Sequence, residues 1–334
     1  MQRYEIFLYF CTVKNFVHIF TDWIRQGAKT SWYMLRFMIP ISIIVKILQE
    51  TGLIVYVGDA LAPLMGLMGL PGEMGLVWAS AMLGNIYGGL IAYFQIMPNI
   101  DPMNIAQITT LSLIILIAHT FPVELMITKK AGAKILSMFA IRFGFGFTSG
   151  VSIFWLYHFL GMHQGYPEAI NMFFAGRQDP TLVEWGLREL KSYGILFLLV
   201  TALIILLDIL KRMGAIEKIN TGLEPILRIL GIGKEVIPIT VVGMTLGLAY
   251  GGALIIKDVK EHKRNKRDVF YALLLMALCH SIIEDSLLLM AIGASWTGVF
   301  VFRIIFALIV VYIFVKITQK WSEEKMEKWF YAKN

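Results

Sequence analysis

Long apolar runs separated by short polar connections dominate this chain, and several approach the ~20 residues that span a bilayer as a helix. The pattern predicts two successive sets of four segments. In the first set, segment a covers about 33–49, b a glycine-rich region at 61–93, c about 104–127 and d about 133–160. In the second, a′ covers 193–210, b′ 223–256, c′ 268–290 and d′ 298–315. Residues 1–30 mix Phe, Ile and Trp with Lys14, Arg25 and Lys29; too broken to span, they read as an interfacial amphipathic helix. The connection 161–191 is polar and rich in turn formers, with one short helix predicted at 181–190. The end of the chain, WSEEKMEKWFYAKN, reads as an amphipathic helix in water.

The two sets are related by a nearly constant shift. An offset of 161 carries His119 onto His280, Glu124 onto Asp285, Gly132 onto Gly293, Ala133 onto Ala294 and Arg142 onto Arg303. An offset of 162 carries Gly52 onto Gly214, Pro63 onto Pro225, Gly69 onto Gly231 and Glu73 onto Glu235, and 163 carries IYGGLIAY (86–93) onto AYGGALII (249–256). A run of matches at one offset, drifting by single residues, is an internal repeat with small loop insertions. The organisation expected is an interfacial segment 1–30, membrane repeat 31–160, external connection 161–191, membrane repeat 192–315 and cytoplasmic tail 316–334.

Composition sharpens the class. The chain is 57% hydrophobic and 16% charged, with a mean hydropathy of +0.69, whereas soluble domains carry about 25% charged residues. The fold expected is an all-α polytopic membrane protein with the lipid bilayer as its main partner. The formal charge of +7 needs no nucleic acid, because cytoplasmic loops of membrane proteins collect Lys and Arg. Cys11 and Cys279 make neither a disulfide framework nor a Cys-rich metal site. The run 6–13 is interrupted by Lys14 and lacks a small-residue cleavage site, so no cleavable signal peptide is expected.

Loop charge then predicts orientation. Connection b–c has no Lys or Arg, whereas b′–c′ carries Lys257, Lys260, Lys263, Arg264, Lys266 and Arg267. Connection c–d has Lys129, Lys130 and Lys134, whereas c′–d′ has none. Region 50–73 has none, whereas its counterpart holds Lys211, Arg212, Lys218, Arg228 and Lys234. Each comparison reverses, so the repeats are expected to have opposite orientations, with both termini in the cytoplasm. The same count returns b to the side it left, as a re-entrant hairpin or broken helix. Gly84, Gly88 and Gly89, and in the second repeat Gly251 and Gly252, are the glycines expected at the breaks.

The chemistry lies in c and c′. His280, Glu284 and Asp285 interrupt the apolar stretch YALLLMALCHSIIEDSLLLMAIGAS, and His119 and Glu124 recur in c. Ionisable groups at such depth cost about 2.5–3.5 kcal/mol each on insertion scales and usually face a protein interior or wet cavity. At 1.5 Å per residue, His119 lies about 22 Å along c and His280 about 18 Å along c′, both in the central zone. His280 and Glu284, four apart, share a helix face, and Pro122 loosens c near His119. The expected substrate- or ion-binding set is His119, Glu124, His280, Glu284, Asp285 and Asn85. Arg142 and Arg303 are expected as structural counter-ions. The competing reading is a satisfied structural network around those arginines, with the glycines serving helix packing.

At these residues the chain resembles a known family. The run HSIIEDSLLL, the IYGG/AYGG glycines and the paired repeats are similar to the nucleoside recognition, or Gate, domain family, and to the gate regions of the ferrous iron transporter B and spore maturation proteins. The resemblance covers about 31–315 and implies a multipass inner-membrane protein of the transporter type. The first repeat departs from it, with Val123–Glu124 where the second has Glu284–Asp285. The function expected is a secondary transporter or permease for a small polar solute coupled to protons or sodium; nucleosides are one candidate class, which the resemblance does not by itself imply. Two alternatives stay open: a divalent metal permease, since one His and two carboxylates can hold such an ion, and a non-transporting membrane partner. Spacings of the HExxH and GxSxG kind are absent, so no enzyme activity and no cofactor are expected. The identity of any metal, the coupling ion and a homo-oligomeric state are left open by the sequence.

Overall fold

The computed structural model describes residues 2–167, 181–262 and 264–331, and within them the protein is all-α. Five stretches are long and apolar enough to cross a membrane: Ile19–Glu50, Ile105–Lys130, Ile135–Leu160, Leu182–Arg212 and Thr297–Thr318. They make this a polytopic membrane protein. Helix α1 runs without interruption over Gln2–Glu50, so no structural boundary falls at residue 30. Segment a is its second half. Segment a′ is likewise longer than predicted, because the short helix expected at 181–190 continues into it as α8 (Leu182–Arg212). Thr181 caps α8 by accepting the Glu184 N–H at 3.2 Å, which explains why the helix starts there.

Segment b is three helices, α2 (Leu53–Gly66), α3 (Met74–Leu83) and α4 (Ile86–Ile96). The last two fold back on each other as a helical hairpin with its tip at Gly84–Asn85. At 1.5 Å per residue each arm is only about 15 Å long, half the hydrocarbon thickness. Segment b′ repeats the plan with α9 (Ala215–Ile229), α10 (Ile237–Leu246) and α11 (Leu248–Glu261), the tip falling at Gly247. Here the glycine expectation needs correction. Gly88, Gly89, Gly251 and Gly252 lie inside α4 and α11, not at breaks. They allow close packing: a Cβ on Gly88 would lie 2.5 Å from Ile41 Cδ1, and one on Gly251 would meet the backbone of Gly243. Only Gly84 sits at a break as expected, while Gly247, with φ +99°, forms the other.

Segment c is α5 (Ile105–Ile117), interrupted, then α6 (Phe121–Lys130). Asn104 and Gln107 close a capping box at its start. Segment c′ is α12 (Lys266–Leu278), interrupted, then α13 (Glu284–Met290). Helix α5, and α12 after its charged first turn, are buried on nearly all sides, the property of a central helix. Around them stand α1, α7 (Ile135–Leu160), α8 and α14 (Arg303–Thr318, led in by a π-helical turn at Thr297–Phe302). These helices turn large apolar side chains outward, among them Ile44, Leu136, Leu198 and Ile309. An apolar exterior around a charged interior suits lipid as solvent.

Left-handed backbone positions recur along the chain. Gly52 (φ +71°) and Gly214 (+70°), Gly69 (+65°) and Gly231 (+82°), Thr120 (+51°) and Ser281 (+45°), and Gly132 (+101°) and Gly293 (+99°) stand 161 or 162 residues apart. The tail is not the solvated end that its sequence suggests. Helix α15 (Glu323–Trp329) buries Met326, and Tyr331 is 2% exposed. The Lys134 N–H donates to Phe330 O at 2.7 Å, and Arg267 donates to Gln319 O and Trp321 O, both at 2.9 Å.

Candidate functional site

The site is built where the central helices break. Pro122 has no N–H, and its ring clashes with the carbonyl four residues back, that of Ala118, which favours the stop of α5 at Ile117. The freed carbonyls find other donors. Trp78 Nε1–H donates to Ala118 O at 3.2 Å, and Arg142 Nε–H to Ile117 O at 2.9 Å. The tip of the α3–α4 hairpin closes the gap, with the Thr120 N–H on Ala81 O at 2.9 Å. The second break matches it. The Ile282 N–H donates to Met244 O at 2.9 Å, which docks the α10–α11 hairpin, and Arg303 donates to His280 O at 2.8 Å and Leu116 O at 3.3 Å. Buried backbone groups must be paired, and each break meets that demand with a hairpin tip and an arginine.

The breaks bring His119 and His280 face to face, with ring centroids 5.1 Å apart. Each Nδ1 sits on a carbonyl of its own helix: His119 on Ile115 O at 2.8 Å, His280 on Met276 O at 2.7 Å. A carbonyl only accepts, so each Nδ1 carries a proton and each ring turns its Nε2 inward. Both Nε2 atoms aim at Glu124 Oε1, 3.6 Å from His119 and 3.2 Å from His280. The other carboxylate oxygen is ion-paired with Arg142 Nη1. Arg142 is fully buried and also lies over the Phe121 ring at 5.2 Å. His280 is 2% exposed.

His119, Glu124 and His280 therefore meet in one buried group whose three donor atoms lie within 4.8 Å of one another. Arg142 holds the carboxylate, as a counter-ion should. Arg303 instead serves carbonyls and reaches Ser286 Oγ only at 3.5 Å. Glu284 and Asp285 open α13 beyond the second break and stand outside the three-residue group. Asp285 is tied to Ser281 and feels Glu284, Arg303 and Glu124 electrostatically. Asn85 is occupied elsewhere, its Oδ1 capping α4 by accepting the Gly88 N–H at 2.9 Å. Tyr87, on the first hairpin and within electrostatic range of Glu284 and Asp285, escaped the sequence reading, as aromatic residues in apolar runs do. A second buried network also escaped it. Ser42 Oγ donates to Glu189 at 2.7 Å, and Gln95 donates to Ser42 Oγ. Gln95 alone is polar in the run IAYFQI, which was its signal.

Comparison with known proteins supports the membrane assignment and little more. The chain is 24% identical over 319 residues to the "Uncharacterized membrane protein YvoD" of Bacillus subtilis (strain 168), covering 93% of this chain and 98% of that protein. No protein family model matches, the Gate family included. No solved structure matches either.

Proposed function

We propose that this chain is a permease of the secondary-transporter type, moving a small polar solute together with a cation and catalysing no covalent chemistry. The observation that carries this reading is the meeting of two broken central helices, each with a short hairpin docked at its break, around a buried group of ionisable side chains. Broken helices and irregular backbone survive at membrane depth only inside protein or along a cavity, and they mark transporter binding sites. The recurrence of left-handed positions at offsets of 161 and 162 supports two repeats of one plan. The reversed loop charges support their opposite orientation in the inner membrane, termini in the cytoplasm. Nucleosides are one candidate solute class among several.

The test is counterflow in proteoliposomes with radiolabelled nucleosides, amino acids and organic acids, with and without imposed cation gradients. Saturable exchange of one class is expected, lost in Asp285→Asn with folding intact. Well-folded protein that exchanges none of them, while a solute-free cation current is also absent, points to the non-transporting membrane partner.

A further inference from the structure

We infer that His119 Nε2, His280 Nε2 and Glu124 Oε1 form a binding site for a divalent first-row transition metal ion. The geometry is that of a ligand set. Metal–nitrogen and metal–oxygen bonds of about 2.1 Å place tetrahedral donors about 3.4 Å apart, and the two histidine–carboxylate separations are 3.6 and 3.2 Å. Two imidazoles with one carboxylate make a donor set of intermediate softness, suited to zinc, cobalt, nickel or ferrous iron rather than magnesium or calcium. Three protein donors leave a fourth position for water or a passing ligand.

The surroundings are those of a metal site as well. Metal-binding histidines nearly always donate their second N–H to a fixed acceptor, and ligating carboxylates are themselves held. Here both Nδ1–H groups are fixed on Ile115 O and Met276 O, and Glu124 Oε2 is fixed by Arg142. Two imidazole Nε2 atoms and a carboxylate oxygen converge in one buried space. Arg142 opposes a second positive charge nearby. Against it, Arg142 engages Glu124 through Oε2, and Oε1 stays turned to the two histidines.

The sequence offered a different set, one histidine with the adjacent acidic pair. The structure exchanges that pair for the histidine and glutamate of the other segment, so the site exists only when the two breaks face each other. The ion's role as cargo or coupling ion rests on the permease reading; its binding does not.

Metal-stripped full-length protein in detergent is titrated with Zn2+ by calorimetry and with Co2+ by visible absorption. One ion per chain is expected, with the intense bands of four-coordinate Co2+, and no comparable heat from Mg2+. X-ray absorption of the zinc-loaded wild type should show two imidazoles per ion, which tests the site without any variant. His119→Ala and His280→Ala should each weaken binding by more than about 100-fold, beyond the ~10–100-fold cost of losing an outer hydrogen-bond partner. Elution profile and unfolding midpoint confirm their folding. Absence of stoichiometric binding in the wild type, a spectrum without imidazole, or undiminished affinity in the folded double histidine variant overturns the inference. Binding without flux leaves this site standing and removes the permease; flux without metal binding does the reverse.

Discussion

The two breaks in the central helices do the same job with different parts. The first carries a proline, Pro122, and an arginine committed to a carboxylate. The second has Ile283 at the corresponding place and an arginine committed to carbonyl oxygens. Yet α5 and α12 stop at equivalent residues, each followed by a left-handed hydroxyl residue, Thr120 or Ser281. The break is therefore a property of the docked hairpin, which supplies the hydrogen bond that the interrupted helix gives up. Proline assists at the first break and is dispensable at the second. The charge difference matters more. Glu124 is neutralised on one side and open to two histidines on the other, whereas Asp285 makes no ion pair among the described residues. One half of the site is anchored and the other is left with charge to spare.

The largest effect expected follows from that asymmetry. Arg142→Met strands a buried carboxylate and should cost about 3–5 kcal/mol. Arg303→Met strands carbonyl groups and should cost about 1–3 kcal/mol. Thermal unfolding in detergent ranks them, and Glu124→Gln should restore much of the loss in Arg142→Met. Equal losses, or no rescue, would break the contrast between the arginines.

The hairpins should differ next. Gly251→Val drives a side chain into the Gly243 backbone, whereas Gly88→Val meets only the terminal methyl of Ile41. Overpacking typically costs about 1–3 kcal/mol; Gly251→Val should fall at the upper end and Gly88→Val at the lower. Unfolding midpoints in the opposite order would show that the first hairpin is the tighter one.

Pro122→Ala sharpens the comparison of the breaks themselves. Because the second break forms without proline, the first should persist, with stability changed by no more than about 1 kcal/mol. Metal titration of this variant should match the wild type. A helix that closes through Ala118 would separate the histidines and abolish binding, and that result would restore proline as the cause.

The smallest effect lies at the base of the second hairpin. Arg264 joins Asp258, at 2.7 Å, to Glu235, and so ties the two arms together. Hydrogen bonding to Arg264 holds the Asp258 carboxyl below its ordinary pKa. A depressed carboxylate stabilises the fold above its unfolded pKa and loses that contribution as pH falls through the folded one. Asp258→Asn should therefore flatten the acid limb of the stability profile slightly and leave neutral-pH flux unchanged. Glu235, the exposed partner of Arg264, should add less in high salt.

The sequence by itself determined the class. Apolar runs of bilayer length with few charges admit only membrane helices, and matches at a steady offset lead to the expectation of two repeats. His119, Glu124, His280 and Asp285 stand out because ionisable groups in such runs are costly. Pro122 marked the first break, but nothing local marked the second: Cys279 to Ile283 contains no proline or glycine, and its interruption depends on Met244, more than thirty residues away. Glycine pairs looked like breaks and proved to be contacts, because φ freedom and close approach select the same residue. The partners of Glu124 were also beyond reading. Spacing along c′ groups His280 with Glu284 and Asp285, whereas packing of c against c′ gives His280 to Glu124. Only the tertiary structure decides which carboxylate faces the histidines, because that is set by where two interrupted helices cross and which of their carbonyls each arginine must satisfy.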